Sequence, residues 1–452
     1  MLADTDFVPP MPSSRDHRGG LLASLLRLRR DALWVFPQQS FTQEVTSLKG
    51  FRRTLLLIND PGVIRDVFIT RQEIYDRRSR LQRRMLGPVI GKSVFISDGP
   101  EVMKRRAVLA RLLHPSRVPD FFPLYVEGAV ELAESWRKGG ETRIDLGLAE
   151  AAARVMLRKL FGPNVDIRRG ERISSDFTTF QDAAEPVDAL YVLGVPAKLT
   201  NFQNARANRL AANIRREIIG AVGDWKPGDG GVYADLREAK DEQGQPLMDE
   251  VTMIDELAGL FLAGSETTAK VMPWAIWMLA AHRPSMVRAQ RELAEVLDGR
   301  LPTAEDLPRL AYLRAVLSET MRLYPPVPFL AREAMQADRI RRWPLRPGDI
   351  VIAAPWLLHR NPRYWEEPNA FRPERFLGDW SKRVTRFSYI PFSLGPRVCA
   401  GAAIAVAEMA AFLAVLLQRL EMRAVPGKTP SPRARLTLLP WDGVRLAVET
   451  RA

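Results

Sequence analysis

Phe392-Ser393-Leu394-Gly395-Pro396-Arg397-Val398-Cys399-Ala400-Gly401 is the stretch on which the fold turns. Cys399 is the only cysteine among 452 residues, so no intramolecular disulfide can form and a reducing compartment suits the chain. One thiol also rules out a zinc or iron–sulfur site built from several cysteines of this chain. A buried lone cysteine ordinarily behaves as a small hydrophobe. Here it stands just before a long segment of helical spacing, and amides at a helix start favour the thiolate, the form that ligates a metal. Gly395 and Gly401 permit tight turns and the close approach of a flat group. Arg397 can neutralise a carboxylate. Phe392 can pack beside the sulfur and keep water away.

Upstream, Ala263-Gly264-Ser265-Glu266-Thr267-Thr268 interrupts the longest helical segment, predicted over Asp249 to Ala281. Glycine followed by paired threonines is poor helix material. One reading is a helix that merely tolerates them. The other gives each a task. Gly264 leaves room for a ligand, Thr267 turns its hydroxyl inward and bends the local hydrogen bonding, and Glu266 relays protons. Between the two runs, Glu319 and Arg322 are three apart and share a helix face. Leu323-Tyr324-Pro325-Pro326 ends that helix, and Phe371-Arg372-Pro373-Glu374-Arg375-Phe376 follows in a Pro-rich meander.

These three runs, in this order, resemble the signatures of the cytochrome P450 superfamily. The cysteine run matches the family's haem-binding pattern at every fixed position: Phe, two residues, Gly, one, Arg, one, Cys, one, Gly. Ala263 to Thr268 is similar to its oxygen-side motif, and Glu319, Arg322 and Arg375 resemble its ExxR and PERF elements. The resemblance covers about Leu55 to Val448. It implies a mainly α fold with a minor β component, the cytochrome P450 fold. It implies haem b (iron protoporphyrin IX), with Cys399 as the metal ligand and Phe392, Gly395, Arg397 and Gly401 around it. Arg332 and Arg106 match positions of propionate partners, although Val102 stands where the family commonly has Trp or His. Gly264, Glu266 and Thr267 are the implied catalytic set: Thr267 steadies iron-bound oxygen and Glu266 feeds it protons. Glu319, Arg322 and Arg375 are implied as a buried structural network. The implied substrate pocket is lined by Leu260, Ala263, Val327, Phe329, Leu330, Leu436 and Thr437. That lining is mostly apolar, so a lipophilic small molecule suits it. The roof falls at about Thr178 to Ile218, where no anchoring residue is legible.

The implied reaction is monooxygenation, as hydroxylation or epoxidation, with one atom of O2 entering the substrate and the other leaving as water. A thiolate ligand pushes electron density onto iron and favours O–O cleavage. No flavin or iron–sulfur module is visible, so two electrons are expected from a separate ferredoxin or flavodoxin with its reductase. The alternatives are haem-thiolate enzymes that isomerise, dehydrate or use peroxide, and a non-enzymatic haem sensor. The Glu266-Thr267 pair argues against peroxide use, and no output module accompanies the haem segment.

The net charge of +13 suits an acidic partner, anionic lipid or nucleic acid if gathered on one face, and a solvated surface if scattered. No nucleic-acid module is present, and no nucleic-acid partner is expected. Met1 to Gly20 is polar, and Leu21 to Leu26 is too short to span a bilayer, so a cytoplasmic protein without a transmembrane anchor is expected. Residues 1–50 read as an N-terminal extension with a first helix, and 51–452 as one catalytic domain. Thr54 to Ile58 reads as a strand, followed by a turn and a helix. Asp224 to Gln245 reads as a surface loop. Pro273 is expected to kink the long helix or end it early. Ile340 to Pro355 reads as a hairpin around Pro347-Gly348, and Arg435 to Val448 as strands around Trp441-Asp442-Gly443. His359 reads as structural.

Overall fold

The computed structural model describes residues 7–12, 31–50, 53–75, 80–183, 204–241 and 243–451. Its main helices are α1 (Pro61–Arg65), α2 (Arg80–Ile90), α3 (Pro100–Leu112), α4 (Val118–Ser135), α5 (Ile144–Phe161) and α6 (Arg168–Ala183). There follow α7 (Ala205–Asp224), α8 (Gly231–Glu238), α9 (Glu250–Ala281), α10 (Arg283–Leu297), α11 (Ala311–Leu323) and α12 (Ala402–Arg419). One sheet has the order β1 (Val45–Lys49), β2 (Thr54–Ile58), β7 (Ile350–Ala353), β4 (Leu330–Glu333). A second has the order β3 (Gly140–Arg143), β11 (Arg445–Thr450), β8 (Leu420–Ala424). Two-stranded pairs join β5 (Asp338–Ile340) to β6 (Trp343–Leu345) and β9 (Pro432–Ala434) to β10 (Leu438–Pro440).

The strand and helix at 54–65 form for local reasons. Leu55 to Ile58 are all buried, and Asp60 caps α1 by accepting from the Val63 amide at 2.9 Å, with Pro61 in the first turn. β2 pairs parallel to β7, with Leu55 opposite Ile350, which joins chain ends almost 300 residues apart. β1 lies before residue 51 yet pairs along β2, so it belongs to the same sheet as the rest of the chain. The helix expected near Leu21 lies outside the described residues.

α9 is the axis of the molecule. Asp249 caps it by accepting from the Thr252 amide at 2.7 Å, and it packs against α2, α5, α7, α10, α11 and α12. Pro273 does not end it; the helix runs on to Ala281. Proline forfeits one ladder hydrogen bond. Burial of Trp274, Ile276, Met278 and Leu279 just beyond it offsets that loss, and Trp274 stacks on Tyr324, the residue that caps the end of α11, at 3.9 Å between ring centroids. Among the described residues, α12 alone is long and apolar enough to cross a membrane by composition; 67% of that stretch is buried, against α4, α9 and α11.

Two sequence expectations change. The loop expected at 224–245 contains α8, because Val232, Tyr233 and Leu236 form a short buried stripe among glycines and aspartates. Ile340 to Pro355 is not one hairpin: β5 and β6 turn at Arg341-Arg342, and β7 beyond Pro347-Gly348 pairs instead with β2 and β4. In the tail both expected strands form; β10 pairs with β9, and β11 with β3 and β8. β7 and β11 find partners across the fold, which local alternation cannot reveal, whereas β10 pairs with the adjacent β9.

Candidate active site

The cysteine loop is held by its own backbone. The Cys399 amide donates to the Phe392 carbonyl at 2.9 Å, and Gly395 adopts φ +72° at the turn. A Cβ on Gly395 would lie 2.1 Å from the carbonyl oxygen of Phe68, so only glycine fits. Gly401 is different. It starts α12 with φ −95° and has no close neighbour, so its contribution is the amide that faces the Cys399 sulfur. Protein crowds the sulfur on most sides, yet more than a third of the residue stays accessible. Burial pushes the thiol above its usual pKa, while the Gly401 amide and the Arg106 cation pull it down.

Two arginines brace this loop. Arg106 of α3 donates to the Pro396 carbonyl at 2.8 Å and to the Val398 carbonyl. Burial lowers its pKa, as does repulsion by Arg397, while Cys399 raises it. Arg397 is buried and donates to the carbonyls of Ser97 at 3.0 Å and Val94 at 3.4 Å, with Asp98 at 3.4 Å. The 93–94 turn is in turn tied to α9, where Glu256 accepts from Ser93 Oγ at 2.9 Å, the Val94 amide at 3.1 Å and Arg105 at 2.5 Å. Arg332 lies buried on β4 with its guanidinium 4.5 Å from the centroid of Phe68. Val102 is buried without a polar group to offer.

Along α9, Leu260, Ala263, Gly264 and Thr267 are only partly covered, while most of their neighbours are buried. Their spacing of three, one and three residues makes one open stripe. Thr267 Oγ1 donates to the Ala263 carbonyl at 2.8 Å. Glu266 points elsewhere: its Oε1 accepts from Gln181 Nε2 at 2.7 Å and Thr437 Oγ1 at 3.3 Å, with Lys270 Nζ at 3.4 Å. Gly264 departs from the sequence reading. Its Cβ position faces Met156 of α5, whose sulfur would be 2.7 Å away, so its smallness serves the α5–α9 contact. Thr268 lies 3.3 Å from Glu408 of α12, a buried carboxyl pushed up to about 7 by burial and opposed by Lys159 at 3.9 Å.

The tail and the Pro-pair segment meet where the Leu438 amide donates to the Pro326 carbonyl at 2.9 Å. This brings partly covered Val327, Phe329 and Leu330 into the same region as Leu436 and Thr437, and β10 reaches α9. Gln181 at the end of α6 was not legible as a site residue; no spacing in the sequence relates it to Glu266.

The structure also brings Glu319, Arg322 and Arg375 together. Arg322 and Glu319 are fully buried, with bonds of 2.6 and 2.8 Å, and Arg375 lies 3.5 Å from Glu319. Arg322 further donates to the carbonyls of His359, Pro368 and Ala370. His359 accepts from the Ile390 amide at 2.9 Å, just ahead of the cysteine loop.

The donor set fits haem. No group of three or more His, Cys, Asp or Glu side chains able to hold a metal ion occurs among the described residues, so Cys399 would be a single protein ligand. Such a site suits iron that a macrocycle already holds on its other sides. Arg332, Arg397 and Arg106 are the nearby cations that would pair with its carboxylates.

Comparison with known proteins agrees. The profile described as Cytochrome P450 matches residues 21–446. The chain is 29% identical to "Cyclooctatin synthase" of Streptomyces melanosporofaciens, over 87% of this chain and 86% of that protein. It is 29% identical to "Cyclooctat-9-en-7-ol 5-monooxygenase" of the same organism, over 82% and 80%. It is 30% identical to "Putative cytochrome P450 139" of Mycobacterium bovis, over 81% and 86%. The crystal structure of a cytochrome P450DA mutant haem domain superposes with a TM-score of 0.82, covering 98% of each chain at 19% identity, and shares the fold. Cysteine loop, central helix, family profile and shared fold agree: this chain belongs to the cytochrome P450 family and is a haem-iron monooxygenase.

Proposed function

We propose that Cys399, as thiolate, is the proximal ligand of haem b, and that the enzyme oxygenates a lipophilic small molecule. The observation that carries this reading is the lone thiol at the start of α12, with the Gly401 amide directed at it. The balance is R–H + O2 + 2 e⁻ + 2 H⁺ → R–OH + H2O; epoxidation adds the oxygen across a double bond instead. Thiolate-ligated haem, when bound, supplies O2 binding and O–O cleavage. The protein holds Cys399 with its loop, offers Arg397, Arg332 and Arg106 to the propionates, and keeps Thr267 on the open stripe of α9. Glu266 is the carboxylate that relays protons toward the reaction.

Leu260, Ala263, Val327, Phe329, Leu330 and Leu436 favour an apolar skeleton, with Thr437 as a polar limit. The relative named "Cyclooctat-9-en-7-ol 5-monooxygenase" makes cyclic unsaturated alcohols the first class to screen. Electrons come from an acidic ferredoxin or flavodoxin with its reductase. Arg383 and Arg386, exposed upstream of the cysteine loop, are its expected contacts, and the location is cytoplasmic. Reduction kinetics of Arg383→Glu and Arg386→Glu that stay unchanged at every salt concentration would remove that docking face.

The test is the absorption spectrum of dithionite-reduced protein with and without carbon monoxide. A strongly red-shifted Soret band that is lost in Cys399→His establishes thiolate ligation. A histidine-like band in the parent protein refutes it.

A further inference from the structure

The end of α6 offers no anchor legible in the sequence, yet one of its residues reaches the acid on α9. Gln181 stands in the last turn of α6 and is 5% exposed. Its amide nitrogen donates to Glu266 Oε1 at 2.7 Å, and its amide oxygen lies 3.4 Å from the Thr437 hydroxyl. Thr437 and Lys270 approach the same Glu266 oxygen at 3.3 and 3.4 Å. The end of α6 is also tied to the tail: Arg435 reaches the Gln181 carbonyl and the Asp182 carboxylate, each at 3.4 Å. Three elements, α6, α9 and the tail, therefore meet at one carboxylate oxygen.

We infer that Gln181 is a positioning residue for Glu266, tying the proton-supplying carboxylate to the end of α6 and the tail. A buried carboxylate is kept by the donors that surround it. The neutral amide of Gln181 is the shortest of the three contacts. Thr267 on the next position donates the other way, into the Ala263 carbonyl. Glu266 cannot swing from the tail toward the open stripe without breaking the Gln181 bond. Leu436 and Thr437 line the proposed pocket, so a molecule that displaces the tail or the end of α6 loosens this bond. Proton supply then follows the positions of the end of α6 and of the tail. The inference rests on the reading of Glu266 as the proton-supplying acid.

The experiment is a double-mutant cycle on the haem-loaded full chain, using Gln181→Leu, Glu266→Gln and both together. No organic substrate is added, and electrons come from NADPH through a plant-type ferredoxin and its reductase. Oxygen then leaves as peroxide (O2 + 2 e⁻ + 2 H⁺) or as water (O2 + 4 e⁻ + 4 H⁺), and peroxide formed per O2 consumed reports proton supply. Gln181→Leu is expected to change that ratio about twofold or more alone, and not at all when Glu266→Gln is already present, as for groups in direct contact. The urea midpoints of the same four proteins, which need no turnover, should be non-additive in the same way. Equal effects of Gln181→Leu in both backgrounds would mark a merely structural side chain and overturn the inference. If Glu266→Gln alone leaves the ratio unchanged, it is the acid role of Glu266 that fails. Gln181→Met, closer in shape, replaces Gln181→Leu should the latter not retain haem.

Discussion

Arg322→Lys tests how the meander ahead of Cys399 is held. The guanidinium has five N–H donors, and five bonds use them: two to Glu319 and one each to the carbonyls of His359, Pro368 and Ala370. An ammonium has three donors on a compact head, so two buried acceptors lose their partner even if the rest adapt. An orphaned buried acceptor costs about 1–3 kcal/mol, which puts the loss at about 2–6 kcal/mol. A protein of this kind has a net stability of about 5–15 kcal/mol, so the variant should be marginal. The three carbonyls lie in the segment leading to the cysteine loop, so haem retention should fail before helix content does. The assay is equilibrium guanidinium unfolding followed by tryptophan fluorescence, with Soret absorbance read in parallel. A loss below about 1 kcal/mol with haem content unchanged would show that the bonds are worth no more than a surface ion pair, and would refute the reasoning.

Gly395→Ala should abolish stable haem incorporation, because its φ of +72° and the Phe68 carbonyl at 2.1 Å leave no place for Cβ; the Soret-to-protein absorbance ratio measures this. Gly264→Ala should lower the unfolding free energy by at most an overpacking cost of about 1–3 kcal/mol, and by less in a Met156→Ala background, since the two side chains compete for one space; a double-mutant cycle on urea unfolding measures this. His359 is held neutral, its pKa pushed down to about 3 by burial and then by Arg322 and Arg360. Its folded value is below the ordinary 6.5, so its contribution to stability is present above that value and is lost as pH falls from 6.5 toward 3. The slope of unfolding free energy against pH in that window should flatten in His359→Gln.

Much of the site is legible in the chain because its chemistry is local. The cysteine run needs its glycine, arginine and thiol within ten residues, and the turn at Gly395 and the start of α12 follow from that order. Glu319 and Arg322 share a helix face by spacing alone. Asp60 and Asp249 announce the helices they cap. Short-range steric and capping rules bear on such features through residues close in the chain.

What only the tertiary structure decided is which surfaces meet. Pro273 lies within a continuous helix because Trp274 stacks on Tyr324 from another element. Gly264 faces Met156, and β7 pairs with β2 rather than with β6, across distances that no local pattern encodes. Glu266 announces itself as an acid on a helix, but Gln181, 85 residues earlier, and Thr437, 171 residues later, become its partners only when α6, α9 and the tail pack together. Chemistry carried by neighbours in the chain is fixed by covalent geometry, whereas chemistry shared between distant elements depends on burial, which is a property of the whole fold.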